Sequence, residues 1–62
     1  MRVNTMVRLK DEMRNDHISG LHGHLWVYQK RGTDIVLGFF RSIATGHEDE
    51  YYYDRFEETK DV

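Results

Sequence analysis

A mainly β fold, a small antiparallel meander of four or five strands that curls into a barrel, is what this 62-residue chain predicts. Three observations carry that expectation. The runs "HLWVYQ" and "DIVLGFF" are rich in branched and aromatic residues and are separated only by "KRGT", the pattern of a hairpin. "TMVRL" sets Thr5, Val7 and Leu9 against Met6 and Arg8, as a strand with one buried face does. A single domain over residues 1–62 is also too short for parallel crossovers, so its strands must run antiparallel.

The elements follow in order. "TMVRL" is the opening strand, although Val3, Met6, Val7 and Met13 also fall near helical spacing, which keeps a short N-terminal helix open as an alternative. Gly20 and Gly23 then mark a loop. In the central hairpin, Gly32 is placed where a short loop favours a residue of positive φ. "EYYYDRF" reads as a further strand, with Asp54 and Arg55 turning the chain into a last short strand at "FEET", although its acidic flanks could equally cap a helix. The first few residues and residues 60–62 are expected to trail as disordered ends.

Composition narrows the function. So short a chain buries a modest fraction of its surface and leaves little room for a large active-site cleft. It has no cysteine, which removes disulfides and thiolate metal sites as staples and fits a reducing compartment, with the cytoplasm as the default. No apolar run approaches the length of a membrane span. Charge is polarised: residues 1–45 carry seven Arg/Lys against four Asp/Glu, and residues 46–62 carry seven Asp/Glu against two Arg/Lys. Such a split suits an electrostatic partner surface or a solvated acidic end.

"MVRLKDEM", "HISGLHGHLWVY", "GTDIVLGFF" and "EYYYDRFEE" together resemble the SH3-like small β-barrels, in particular their KOW-like variant from transcription and translation proteins. Ile18, Ser19, Gly20 and Gly23 stand where that pattern places its loop, and Leu25 and Val27 where it places the next strand. The resemblance implies a small barrel and nucleic-acid binding. The chain departs from the pattern in its missing proline, its histidine-rich loop and its acidic end.

Side-chain alternation supplies candidate binding residues. With Leu25 and Val27 pointing inward, His24, Trp26 and Tyr28 point outward. A bulge at Gly38 would send Phe40 inward with Ile35 and Leu37, leaving Phe39 and Val36 on the second side. The hairpin is then apolar on both faces, so a partner, a second copy or another part of the chain must cover the outside. Trp26, Tyr28 and Phe39 are the expected protein-binding anchors, with Glu48, Asp49, Glu50 and Asp54 steering association. The alternative places nucleic acid on Arg8, Lys10, Lys30, Arg31 and Arg41, with Tyr51, Tyr52 and Tyr53 a less suitable stacking platform because acids surround them.

Other chemistries are thinly represented. His22 and His24 have the two-residue spacing that puts both on one side of a strand, and His17 or His47 could approach them, yet no cysteine supports a metal site. Ser19, Ser42, Thr5, Thr33, Thr45 and Thr59 sit in no recognisable nucleophile motif, and the glycines match no phosphate-binding loop. The expected protein is non-enzymatic and needs no cofactor. Its style resembles the tiny regulators and inhibitors encoded by phages and mobile elements, which act by occupying a protein partner or by self-association.

Overall fold

A computed structural model describes residues 1–10 and 17–59 of the chain. Five strands, β1 (Met6–Leu9), β2 (Leu25–Arg31), β3 (Leu37–Ser42), β4 (Glu48–Tyr52) and β5 (Phe56–Glu58), form one antiparallel sheet in the order β4-β3-β2-β1-β5. One short helix, α1 (His17–His22), lies between β1 and β2, and a 3-10 turn (Tyr53–Arg55) joins β4 to β5. The mainly β expectation holds. The sheet does not close into a barrel, because no ladder joins its edge strands β4 and β5.

Curling nevertheless brings the two ends of the sheet together. The Phe40 ring on β3 stacks on the Phe56 ring on β5 with centroids 4.1 Å apart, although β2 and β1 intervene between those strands. That closeness is possible because the 3-10 turn carries the chain directly from one sheet edge to the other, aided by the right-handed twist of strands. The enclosed core is Val7, Leu9, Trp26, Tyr28, Phe40 and Phe56, with Ile18, Tyr51 and Tyr53 packed against it. Burial of each large side chain contributes about 1.5–3 kcal/mol, and aromatic edge and stacking contacts about 0.5–1.5 kcal/mol per pair.

β1 has the predicted alternation, with Val7 and Leu9 buried and Met6 and Arg8 exposed. This settles strand against helix for residues 6–9, and Val3 lies in a turn; Met13, the last residue of the helical alternative, lies outside the described residues, as does the expectation of a free end at residues 60–62. Asn4 is tied down, its N–H donating to the Tyr28 carbonyl at 2.8 Å. The helix falls in the stretch expected as a loop. It ends at Gly23, whose φ of 81° needs glycine and whose N–H donates to the Ser19 carbonyl.

Gly32 and Gly38 play different parts from those expected. Positive φ among the described glycines occurs at Gly23 and Gly46, not at Gly32. Gly32 is needed for space, since a Cβ there would come within 2.9 Å of Leu37. At Gly38 a Cβ would meet the Tyr28 and Tyr53 rings at 2.9 Å, so this glycine lets two aromatic rings lie on the backbone of β3. The register shift lies on β2 instead, between Tyr28 and Lys30, while Gly38 pairs with Arg31 and Tyr51. Among the described residues, no buried side-chain nitrogen or oxygen lacks a partner, and no helix is long and apolar enough to cross a membrane.

Candidate functional site

The expected outward face of β2 is the inward one. Trp26 is fully buried and Tyr28 nearly so, whereas Leu25 is exposed and Val27 half-buried. The partners explain the phase: Trp26 pairs with Ser42 and Tyr28 with Phe40, and on the other side Trp26 faces Val7. Trp26 makes edge contacts with Tyr51 at 5.4 Å and Phe56 at 5.8 Å, and its Nε1–H donates to the Gly23 carbonyl at 3.1 Å. Six buried side chains must fill the interior of a curled sheet, so the largest rings go in and the smaller Leu25 and Val27 stay out. Trp26 and Tyr28 are therefore unavailable as anchors to an incoming partner.

β3 is also divided differently in part. Phe40 points inward and Phe39 outward as expected, but Leu37 shares the outer face with Phe39, and Ile35 and Val36 lie beyond the strand. Phe39 is half-buried, with the Lys30 ammonium 5.1 Å from its ring centroid. That cation covers the ring.

The candidate nucleic-acid cations are dispersed or opposed by acids. Arg8, Lys30 and Arg41 do share the outer face. Arg8 Nε donates to the Glu57 carboxylate at 3.0 Å, Arg41 stands opposite Glu48, and Glu50 lies opposite the Phe39 that Lys30 covers. Arg31 is at the far end of β2 beside Tyr53, and Lys10 follows β1 at the opposite end of the chain's first strand. The fold does not gather these five into a single unopposed basic edge.

The histidines at the other end close the core. His22 and His47 stack face to face, with centroids 4.1 Å apart and planes 7° from parallel, and both meet Trp26 edge-on. His22 Nδ1 is 2.8 Å from the Thr45 hydroxyl, His24 Nδ1 is 3.0 Å from the Ser19 hydroxyl, and the Ser42 hydroxyl donates to the His22 carbonyl. His22 and His24 thus turn to different partners. Among the described residues, no group of three or more His, Asp or Glu side chains could hold a metal ion. The Ser19–His24 pair has a nucleophile-like look, but the Ser19 side chain is buried.

What sequence reasoning missed is an apolar groove between the β2–β3 loop (residues 32–36) and the 3-10 turn. Ile35, Val36, Tyr52, Tyr53 and Asp54 line a hollow of about 430 Å³, toward the small end for ligand pockets. Ile35 is 93% exposed, and Val36 and Tyr52 are each about half exposed. A second hollow on the other side of Ile35 is bounded by Arg31, Thr33, Asp34 and Tyr53.

The loop that carries Ile35 is tightly held. Gly32 N–H donates to the Leu37 carbonyl and Leu37 N–H to the Asp34 carbonyl, each at 3.0 Å, while Asp34 Oδ1 accepts from Val36 N–H. Glu50 accepts both the N–H and the hydroxyl of Thr33, at 2.6 and 2.9 Å, and Tyr53 N–H donates to the Val36 carbonyl at 2.9 Å. Glu50, expected to steer partners, instead fastens this loop to β4. Glu48, Asp49 and Asp54 are exposed, as a steering role requires.

Tyr53 forms the floor between the hollows. Its hydroxyl is 2.8 Å from that of Tyr28, and either oxygen can donate. Desolvation, then the hydrogen bond and the charge interaction with Tyr28, raise the Tyr53 pKa above the ordinary phenol value, with Arg31 pulling weakly the other way. The Tyr53 phenol accordingly holds its proton more firmly than a free phenol does. The signal for this groove was present in "TDIVLG": an Asp followed by two branched residues and a glycine is as compatible with a side-chain-capped loop as with a strand. Comparison of the chain with protein-family models, with curated proteins and with solved structures returns no match.

Proposed function

We propose that this chain is a non-enzymatic protein-interaction module that holds an apolar segment of a partner protein in the groove between the β2–β3 loop and the 3-10 turn. The carrying observation is Ile35: an almost fully exposed branched side chain fixed at the apex of a loop by hydrogen bonds on both sides. A loop that is already ordered loses little entropy on binding, so the exposed area of Ile35, Val36 and Tyr52 can be spent on affinity. The module acts by occupancy, which suits a small regulator or inhibitor.

The free sheet edges favour a partner over self-association. β4 presents Glu48 and Asp49, and β5 presents Glu58. Like charges on both edges oppose strand pairing between copies. The opening strand, the helix-bearing loop, the core hairpin and a closing segment ending in Phe56 support reading the fold as an open member of the SH3-like small barrels, KOW-like in its order of elements. The alternative function, nucleic-acid binding, draws on Arg8, Lys30 and Arg41 sharing a face, and is weakened by the acids set against them.

Panning a random peptide library on the immobilised protein tests the proposal. Enriched apolar sequences that lose binding to Ile35→Asp, with Trp26 fluorescence unchanged, support it. Absence of enrichment, or sequences indifferent to Ile35→Asp, would overturn it, and oligonucleotide binding at low salt that fades steeply as salt rises would promote the alternative.

A further inference from the structure

We infer that the groove selects a long cationic side chain, lysine or arginine, from the partner's apolar segment, an inference that rests on the protein-binding reading above. The lining combines three kinds of surface. Ile35 and Val36 supply branched aliphatic walls, Tyr52 and Tyr53 supply aromatic rings, and Asp54 supplies an exposed carboxylate. An alkyl stem ending in a cation can use all three: methylenes pack on the aliphatic wall, and the charged head takes the aromatic rings and the carboxylate while keeping part of its water.

Charge complementarity argues the same occupant. Asp54 is the charged residue that lines this hollow, while Arg31, the cation near Tyr53, lies in the second hollow, where Asp34 accompanies it. An anionic partner segment would meet the Asp54 carboxylate and be repelled. A purely apolar one would leave the Asp54 carboxylate with nothing to gain from the contact.

Two blocked pentapeptides test this, one with a central lysine flanked by leucines and one with norleucine in its place, which keeps the stem and removes the charge. Each is titrated into ¹⁵N-labelled full-length protein, and amide shifts are followed at Ile35, Val36, Tyr52 and Asp54. The lysine peptide is expected to bind about fivefold more tightly than the norleucine peptide, in line with an exposed cation–π contact plus a surface ion pair. Asp54→Asn is expected to erase most of that difference, and an arginine peptide to behave as the lysine one does. Equal affinities for the lysine and norleucine peptides in the unmodified protein would overturn the inference and leave the apolar groove standing. Failure of both peptides to move these amides would overturn the inference and the protein-binding reading together.

Discussion

The two ends of the aromatic core are finished in opposite ways. At one end the Trp26 indole is roofed by α1 and by the stacked rings of His22 and His47, and the polar atoms there are paired within the chain. At the other end Tyr28 and Tyr53 join hydroxyls beneath a loop that thrusts Ile35 outward, and apolar surface is left uncovered. Each end is built around an aromatic ring of β2, Trp26 at one and Tyr28 at the other. The difference teaches that a ring's residue type does not mark it as an anchor; what matters is whether the chain has already covered it.

Breaking the covered end should have the largest effect. Trp26→Ala removes the most extensively contacted ring of the core and should cost about 3–5 kcal/mol. Because the stability of a domain this small is of similar size, the variant is expected to lose its cooperative thermal transition in circular dichroism. A folded variant with altered binding would return Trp26 to the surface.

Gly38→Ala probes the seam between core and groove. A methyl group there meets the Tyr28 and Tyr53 rings at 2.9 Å, and the rings must move, at a cost of about 1–3 kcal/mol by urea denaturation. Ring movement also tilts Tyr53, so the groove should weaken along with the fold. An alanine variant as stable as the parent would mean that the rings do not lie on β3.

A smaller effect is expected from alkali. The raised pKa of Tyr53 means that the folded state holds its phenol proton more firmly than the unfolded chain does. The corresponding stabilisation is present in full below the unfolded-state value near 10 and is lost as pH rises through the higher folded-state value. Chemical-denaturation midpoints should hold up to about pH 9 and then fall, and Tyr53→Phe should flatten that fall. A midpoint that rises through the same window would reverse the sign of the argument.

How much of this was legible in the sequence depended on whether polar residues broke the symmetry of a strand. In β1, Arg8 separates Val7 from Leu9, and the buried side could be read directly. The β4, turn and β5 succession was legible because Asp54 and Arg55 interrupt an otherwise aromatic run. In β2 the residues Leu25, Trp26, Val27 and Tyr28 are apolar on both sides, so alternation was visible and its phase was not; pairing with Ser42 and Phe40 decides it. The bulge at Gln29 leaves no glycine or proline signal. Phe39 lies on the outer face without the bulge at Gly38 that was expected to put it there, and Glu48, Asp49 and Asp54 are exposed; Ile35 and Val36 looked like strand because branched residues favour strands, and the Asp34 hydrogen bond that turns them into a loop is a local competition that propensity does not resolve. "HISGLH" reads as loop by its glycine, yet folds as one short helix against the core.

The smallest expected change in stability belongs to Ile35→Asp, and with it the most direct test. An exposed loop position should alter stability by no more than about 0.5 kcal/mol, a shift of roughly 2–4 °C in Tm for a domain of this size. Measured together, Tm and affinity for a groove-binding peptide should separate: the first nearly unchanged, the second lost. A variant that melts far earlier, or one that still binds the peptide with the parent's affinity, would contradict a covered tryptophan end and an uncovered tyrosine end.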